Sequence, residues 1–334
     1  MSLVHIRTRP DRVLLLQLDG KLPNLALMRI AAHHRERGDE LEIRHGAHFG
    51  GLFDQGFDRV YASAIFERTR PLANRVLEAY PEALIGGTGW DVARTIEDIG
   101  ITTGRLDYSI YPDYRHSIGF TQRGCRLKCP FCVVPAKEGR VRTAGRIVDI
   151  WRGEPWPREI VLLDNDFFGN QEWGDRLQEI RDGGFKVCFT QGINARILTP
   201  EQAEGIASVD YRDSNLAERR LYTAWDTTRD EVRFFGGLEL LCRNGVRPRH
   251  LLVYMLIGYA PSETHADRDH RRRKLREFGA LPYPMPYHRT PELVGFQRCV
   301  VGAYDKRVRW DDWQAANYQP RQLRRWQAEV EGVL

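Results

Sequence analysis

Long apolar runs are missing from this sequence of 334 residues, and lysine, methionine and cysteine are scarce. No stretch approaches the roughly 18 apolar residues of a transmembrane helix, because the longest, at 12–18 and 250–259, have the length of a strand. The first residues, MSLVHIRTRPDR, lack the apolar centre of a signal peptide. We therefore expect a cytoplasmic protein without a membrane partner. In that compartment thiols stay reduced, and clustered cysteines bind metal or react more often than they cross-link.

The scarcity of lysine leaves arginine as the main basic residue. Six of the 50 basic residues are lysine and the other 44 are arginine, with a formal net charge of +5. The planar guanidinium suits phosphate and carboxylate groups, although GC-rich coding produces the same bias. A modest positive charge permits a nucleic-acid partner without requiring one, and a solvated charged surface is the alternative.

The first 110 or so residues alternate strand and helix patterns. Residues 12–18 form an apolar strand pattern, and residues 25–37 have the spacing of an amphipathic helix, with Asn24 as N-cap and Gly38 at its end. Further strands are predicted at ELEIRH, RVYAS and EALIGG, with a helix at RPLANRVLEAY. This order predicts an α/β domain over residues 1–112, with a small Rossmann-like, doubly wound parallel sheet.

A second β/α series follows the aperiodic stretch at 106–117, where we place the linker. Its alternating strands and helices predict a partial (β/α)6 barrel over residues 113–288, with an active site at the carboxyl ends of the strands. The aromatic and basic residues 289–334 predict a short C-terminal cap with one helix, at QPRQLRRWQAEVEG. The candidate strands are SIGFTQ, EIVLLDND, FKVCFTQG, RLYTAWD and HLLVYMLIGY, with YPMPYHR as a strand-like segment after them.

Three of the six cysteines, Cys125, Cys129 and Cys132, lie together in GCRLKCPFC. A structural zinc site usually takes four Cys or His ligands in two separated pairs, and here only His116 is near enough in sequence to be a fourth. A disulfide is not expected in the cytosol, and a catalytic thiol does not need two neighbours. Three thiolates instead suit a [4Fe–4S] cluster in which one iron has no protein ligand and binds an exogenous molecule.

The C-x3-C-x2-C spacing, with Gly124 before it and the aromatic Phe131 before the last cysteine, resembles the radical S-adenosylmethionine superfamily. The resemblance implies that the three cysteines hold a [4Fe–4S] cluster and that the open iron chelates S-adenosylmethionine. An electron from the reduced cluster, supplied by a flavodoxin- or ferredoxin-like partner, would cleave the sulfonium to methionine and a 5′-deoxyadenosyl radical. That radical removes hydrogen from the substrate. The cofactors carry the difficult chemistry, and the protein orients the reactants and excludes water.

The resemblance also assigns cofactor contacts to residues at the ends of other strands. Asp164, Asn165 and Asp166 finish EIVLLDND, where superfamily members place a motif that receives the methionine amino group. A helix cap or a turn would use the same residue types, so this alternative stays open. Asp226, in TAWDTT, is a further polar candidate at a strand end.

Two more segments resemble cofactor-binding stretches of the superfamily. In QGINARILT, Gln191, Asn194 and Arg196 match a stretch that contacts the nucleoside or the carboxylate, and a guanidinium suits that role. An ion pair of Arg196 with a surface acid is the alternative. In YMLIGY, Ile257 and Gly258 match an apolar strand that flanks adenine, where glycine permits close backbone approach and core packing is the other explanation.

A small α/β domain before such a barrel resembles the cobalamin-binding branch of the superfamily. Domains that ligate cobalt through histidine carry D-x-H-x-x-G after the first strand, whereas the loop here, LDGKLPN, has no histidine. His48 has a glycine three residues later, but Gly46 stands in place of the aspartate and the site follows the second strand. The glycine-rich IGGTGW at 85–90 is a weak signal for a nucleotide tail. We therefore expect no cobalamin, although binding without a cobalt-ligating histidine stays open.

The segment DRDHRRRKLREFGALPYPMPYHR runs from a basic helix into the strand-like YPMPYHR. If the substrate is a nucleotide or a nucleic acid, the cations at 271–274, among them Arg272 and Arg273, would clamp phosphates. Tyr283 and Tyr287 would stack on a base. A solvated helix face is the other interpretation of such a charge run.

Three functions remain in competition. The first is a radical enzyme that rearranges or modifies a modified nucleoside or a nucleic-acid base, because GINARILT and YMLIGY resemble methylthiotransferase-like enzymes. A true methylthiotransferase is disfavoured, since the chain has no second set of three cysteines for an auxiliary cluster. The second is radical tailoring of a peptide or a small natural product, and the third is a non-catalytic iron–sulfur binding or sensor protein. The sequence does not fix the oligomeric state.

Overall fold

A computed structural model describes residues 9–51 and 56–317, and the chain divides into two compact units. The predicted helix at 319–332 lies outside the described residues. The described part of the expected cap, from residue 289 onwards, belongs to the second unit. The first unit comprises Met1–Arg115 and Val133–Gly139, and the second comprises His116–Cys132 and Arg140–Leu334.

The first unit contains one parallel sheet, with the strand order β2-β1-β3-β4. Strand β1 is central and is buried on both faces. Leu14 and Leu16 belong to one core, and Val13 and Leu15 belong to another on the opposite face. The elements of this unit are β1 (Arg12–Gln17), α1 (Leu25–Glu36), β2 (Glu40–His45), β3 (Arg59–Ser63), α2 (Arg70–Ala79), β4 (Leu84–Gly86) and α3 (Val134–Glu138).

Helix α1 shows why the local pattern was readable from sequence. The side chain of Asn24 accepts a hydrogen bond from the backbone N–H of Leu27 at 3.1 Å, as an N-cap does. Gly38, with φ at +77°, follows the end of the helix in the left-handed conformation that glycine adopts readily. Both predicted helix signals are confirmed, and the parallel α/β organisation is confirmed with them.

The second unit is also a parallel α/β structure. Its strands form the orders β10-β9-β8-β5 and β11-β12-β13, and a parallel bridge between Ile193 and Thr223 joins the end of β9 to β11. Strands β6 and β7 form a short antiparallel pair. The elements are β5 (Ser117–Gly119), β6 (Gln122–Arg123), β7 (Arg142–Thr143), α4 (Ile147–Ile150), β8 (Glu159–Leu162), α5 (Trp173–Asp182), β9 (Lys186–Phe189), α6 (Pro200–Ala207), β10 (Asp210–Tyr211), β11 (Leu221–Ala224), α7 (Glu231–Arg243), β12 (Leu251–Ile257), α8 (His265–Phe278), β13 (Leu281–Pro286), α9 (Pro291–Val301) and α10 (Trp310–Asn317).

Strand β12 has two different faces. Its odd-numbered residues, from Leu251 to Ile257, are fully buried in a core that includes side chains of α7 and α8. Its even-numbered residues lie on the other face, where Tyr254 contacts the rings of Tyr222 and Tyr283 at centroid distances of 5.7 and 5.8 Å. This second face of β12 is therefore turned away from α7 and α8.

Strand β13 carries prolines at positions 282, 284 and 286 and lies at the edge of its sheet. Proline cannot donate a ladder hydrogen bond, so an edge position is where such a strand is tolerated. The strand-like interpretation of YPMPYHR is therefore correct. Among the helices of the described residues, none combines the length and the hydropathy that crossing a bilayer requires.

Candidate functional site

The three clustered cysteines lie on the loop that follows β6. All six cysteines are within the described residues, none is in a disulfide, and Cys125, Cys129 and Cys132 are half-buried. The backbone N–H of Leu127 donates to Cys125 Sγ at 3.4 Å, and that of Cys132 donates to the carbonyl of Cys129 at 3.0 Å. Burial raises the pKa of Cys125, and the charges of Asp166 and the other two thiols act in the same direction. The three sulfur atoms are thus near enough to influence one another electrostatically.

The three thiols do not converge on a single-ion site in the described part of the chain. In the described ranges, no three His, Cys, Asp or Glu side chains converge closely enough to hold one ion. His116, the expected fourth zinc ligand, instead pairs with Glu159 at 2.8 Å. In a [4Fe–4S] cluster each thiolate binds a different iron, so the ligands are spaced more widely than around a single zinc ion. Three thiols from one short loop are the number of ligands that such a cluster takes when one iron is left open.

Asp164 fixes the chain just before the cysteine loop. Its side chain is 4% exposed, and Oδ1 accepts the backbone N–H groups of Thr121 and Gln122 at 2.8 and 3.3 Å. The Thr121 hydroxyl donates to the other carboxylate oxygen. The predicted contact with the methionine amino group stays untested, and the interactions seen are those of an anchor between the ends of β8 and β5.

Asp166 fixes the loop at a second point. Its carboxylate, 6% exposed, accepts bonds from the backbone N–H of Arg126 at 3.0 Å and from its Nε and Nη2 at 2.8 and 2.9 Å. These hydrogen bonds raise the pKa of Arg126. Asn165 lies half-buried between the two aspartates. Sequence reasoning missed Arg126, although it lies inside the cysteine motif.

Arg196 connects the end of β9 with the cysteine loop. Asn194 Oδ1 accepts bonds from the N–H and the Nε of Arg196 at 3.1 and 3.2 Å, and Arg196 Nη1 pairs with Asp230 at 2.8 Å. Burial would lower the pKa of Arg196, but Asp230 and, more weakly, Cys129 raise it overall. The ion-pair alternative is therefore partly right, because the partner is Asp230, and the guanidinium also lies beside Cys129. Gln191 is exposed.

Asp226, the polar candidate at the end of β11, and the adenine-flanking candidates Ile257 and Gly258 have structural partners of their own. Asp226 Oδ1 accepts a hydrogen bond from the N–H of Leu256 at 3.0 Å. Burial raises the pKa of Asp226, although this hydrogen bond acts in the opposite direction. The side chain of Ile257 is fully buried in the core, so only its backbone faces the strand end. Gly258, with φ at +75°, donates its N–H to Glu263 at 2.5 Å. A Cβ there would lie 2.3 Å from Leu293 Cδ1, so the positive φ favours glycine and an added Cβ would also require Leu293 to move.

Arg271, expected among the phosphate-binding cations, is 1% exposed and belongs to the core. It donates to the carbonyls of Trp225 and Leu256 at 3.1 and 3.0 Å and pairs with Glu263. These bonds fix the ends of β11 and β12. In this structure Arg271 is therefore not accessible to a phosphate.

The neighbouring cations of α8 are paired with carboxylates. Arg272 bonds to Asp269 at 2.7 Å and to Asp305 at 2.9 Å, and Arg273 bonds to Asp269 at 3.1 Å. Lys274 lies 3.3 Å from Glu231. A phosphate would have to compete with these carboxylates, which weakens the phosphate clamp expected from the charge run.

Four aromatic side chains form a row that leads away from the cysteine loop. The ring centroids of Phe131 and Tyr259 are 5.4 Å apart, those of Tyr259 and Tyr287 are 5.0 Å apart, and those of Tyr287 and His288 are 4.7 Å apart. We call these four residues the aromatic row. Tyr283 is not part of it, because it contacts Tyr254 and lines a separate cavity of about 620 Å³. Tyr259, which sequence reasoning missed, directly follows Gly258.

The carboxyl end of the first sheet is closed by its own residues. Asp19, after β1, accepts bonds from the N–H groups of Ile65 and Phe66 at 2.8 and 2.9 Å, and from the Thr69 hydroxyl at 2.6 Å. A Cβ on Gly89, in IGGTGW, would lie 2.3 Å from the carbonyl oxygen of Phe66. This glycine is thus required for packing against the loop after β3, which explains it without a nucleotide tail.

His48 is exposed and follows β2, which is an edge strand of the first sheet. The site after the central strand β1, where a cobalt-ligating histidine is placed in the cobalamin branch, is occupied by the Asp19 network. Nothing in this geometry favours a role for His48.

No family model, curated protein or solved structure matches the chain. The function must therefore be inferred from the residues and their geometry.

Proposed function

We propose that the protein is a radical S-adenosylmethionine enzyme in which Cys125, Cys129 and Cys132 hold a [4Fe–4S] cluster. The observation that carries the proposal is the cysteine loop itself. Three half-buried thiols lie on a short segment after β5, and two aspartates at the end of β8 fix that segment at Thr121 and Arg126. Parallel strand ends are where α/β folds assemble their sites.

The strand connectivity supports the same proposal. Strands β5, β8, β9, β11, β12 and β13 follow one another through parallel pairs and the bridge from Ile193 to Thr223. Six parallel strands in this order are consistent with a partial (β/α)6 barrel. The first unit would be a Rossmann-like domain of the cobalamin-binding type without bound cobalamin, because its Asp19 network fills the strand end.

Cys125, Cys129 and Cys132 would hold the cluster, and when bound it would supply the electron for reductive cleavage of S-adenosylmethionine that leads to hydrogen abstraction from the substrate. The chain's own residues hold the ligands in place. Asp166 and Arg126 hold the loop between the first two thiols, and the guanidinium of Arg196 lies beside Cys129. Phe131, which lies on the loop, packs against Tyr259, and the two rings would form an apolar side of the site.

The substrate that we favour is a modified nucleoside or a nucleic-acid base, and a flavodoxin- or ferredoxin-like protein would deliver the electron. The support is the aromatic row beside the cysteine loop, since aromatic rings are the side chains on which bases stack.

Anaerobic reconstitution tests the proposal. Protein loaded with iron and sulfide is reduced with dithionite in the presence of S-adenosylmethionine, and 5′-deoxyadenosine and methionine are quantified by mass spectrometry. We expect both products in equal amounts, together with deuterium transfer into 5′-deoxyadenosine from a deuterated nucleoside substrate. A fully loaded cluster that never cleaves S-adenosylmethionine would exclude the enzyme and leave the sensor function.

A further inference from the structure

Met285 and Tyr287 lie on the same face of the chain at the carboxyl end of β13. In the register of β12 and β13, Met285 is opposite Leu256, and the N–H of Tyr287 continues the pairing by donating to the carbonyl of Ile257 at 2.9 Å. Alternate residues of a strand point to one side, so both side chains share the face that is turned away from α7 and α8. They are 44% and 46% exposed.

This exposed pair is continuous with the cysteine loop. Tyr287 packs nearly perpendicular to Tyr259, at an interplanar angle of 81°, and Tyr259 packs against Phe131, which lies between Cys129 and Cys132. A flat ring placed on Tyr287 and Met285 would therefore be joined to the cysteine loop through the rings of Tyr259 and Phe131. Methionine adapts its shape to aromatic surfaces, and tyrosine presents a flat face at a small entropic cost.

The charges around this surface limit what can bind. Arg271 is buried, and the next three cations of α8 are each paired with a carboxylate. Arg289, exposed two residues after Tyr287, can meet one anionic group but not the repeated phosphates of a strand. Within α8 there is thus no run of unpaired cations for repeated phosphates, which favours a ligand that is recognised by its ring.

We infer that Tyr259, Met285 and Tyr287 form a stacking platform that holds the flat heteroaromatic ring of a small, nucleoside-like substrate, not a polynucleotide, beside the cysteine loop. This inference rests on the proposed function and names its substrate class. It assigns roles to Tyr259 and Met285, and it narrows the nucleic-acid hypothesis to a free nucleoside or a nucleoside carrying a single phosphate.

The test is equilibrium dialysis of guanosine, cytidine and uridine against the reconstituted full chain. S-Adenosylmethionine is present in saturating amount, so that its own site is filled. We compare Tyr287→Ala and Tyr259→Ala with Tyr287→Phe, which keeps the ring, and with Tyr304→Ala. Tyr304 is 52% exposed and lines the separate cavity, so it is a matched control. Iron content and thermal unfolding of each variant report whether it is folded.

We expect at least one nucleoside to bind, and each alanine change on the platform to weaken it by about 5- to 150-fold. Tyr287→Phe and Tyr304→Ala should keep most of the affinity. The affinity should change little between about 0.05 and 0.2 M salt, since few phosphate contacts are made.

Three results would overturn the inference. They are the absence of nucleoside binding by wild type that cleaves S-adenosylmethionine, equal affinity in all folded variants, and tighter, strongly salt-dependent binding of a single-stranded oligonucleotide. A further result distinguishes failure of the stacking platform from failure of the proposed enzymatic function. If nucleoside binding depends on Tyr287 while no S-adenosylmethionine is cleaved, the platform stands and the proposed function fails.

Discussion

The two units of this protein are both parallel α/β structures, but the carboxyl ends of their sheets differ. In the first unit the carboxylate of Asp19 accepts three hydrogen bonds from the segment after β3. The side-chain oxygen of Gln17 accepts a hydrogen bond from the Tyr111 hydroxyl at 2.6 Å. In the second unit the strand ends carry three half-buried thiols and an exposed tyrosine. Similar topology is thus combined with different strand ends, a closed polar network in the first unit and a cysteine loop beside aromatic rings in the second.

Unsatisfied polar groups add to this contrast. In the second unit the side-chain amide of Gln122 is fully buried, and neither its nitrogen nor its oxygen has a hydrogen-bond partner among the described residues. Asn194 Nδ2 is likewise buried without a partner there. Leaving such groups unpaired destabilises a fold, so they are expected where a site is shaped for something other than stability.

The largest effect is expected from the cysteine loop. Changing Cys129 to alanine should remove a cluster ligand, and the protein should lose the roughly four irons per chain that the cluster type requires, together with cleavage of S-adenosylmethionine. The matched control is Cys242→Ala on α7, which should keep both. Iron and sulfide analysis after anaerobic reconstitution is the measurement. Full iron loading and full cleavage of S-adenosylmethionine in the Cys129→Ala variant would show that Cys129 is not a cluster ligand. The contrast between the two units would then lose its main support.

A smaller effect is expected when the anchor of the loop is removed. Asp166→Ala leaves Arg126 without its three bonds, so the loop should hold its cluster less tightly. We expect a loss of about 1–3 kcal/mol of stability, because the carboxylate is buried. Faster release of iron to a chelator should accompany it. Asp149→Ala breaks an exposed pair with Arg146 and serves as control. Equal chelation rates in both variants would show that Asp166 does not position the loop.

In the first unit, Gly89→Ala tests how tightly its strand end is closed. The added Cβ would meet the Phe66 backbone, so the unit should lose about 1–3 kcal/mol of unfolding free energy. Gly104→Ala is the control, since a Cβ there has nothing within 4 Å. Urea unfolding of both variants is the measurement. A neutral Gly89 variant would mean that this strand end is more open than the structure indicates.

The smallest expected effect is the spectral change when hydroxocobalamin is added to the protein. Because the Asp19 network fills the first strand end and β1 is followed by no histidine, we expect no stoichiometric binding and no spectral shift in an anaerobic titration. A shift that disappears in His48→Ala would contradict both the expectation and the dismissal of that residue.

Local signals in the sequence predicted the elements and the cysteine loop, while side-chain partners escaped prediction. The cap at Asn24 and the edge strand with prolines depend on residues close in sequence, and they were readable. The anchoring of the loop by Asp164 and Asp166 spans about 40 residues of sequence, so no local pattern could show it.

The charge run of α8 illustrates a second limit. Arg268, Arg271 and Leu275 are buried residues at helical spacing, so two arginines occupy the inward face that apolar residues normally occupy. From the sequence, such a run of cations indicates a solvated helix face. Only the three- and four-residue spacing of Arg268, Arg271 and Leu275 indicates that these two arginines share the buried face. The buried partner, Glu263, precedes the helix and became recognisable only in three dimensions.

In the second unit the bridge between Ile193 and Thr223 is the junction between two groups of strands, and we call this junction the seam. On one side of it lie β5, β8 and β9, which position the thiols, and on the other lie β12 and β13, which position the aromatic row. Local opening of a protein starts where few backbone hydrogen bonds must break, and one bridge is a weaker join than the ladders beside it. Motion at this seam would change the gap between thiols and rings, and the Arg196–Asp230 ion pair and the Phe131–Tyr259 contact, which also cross it, would oppose that change.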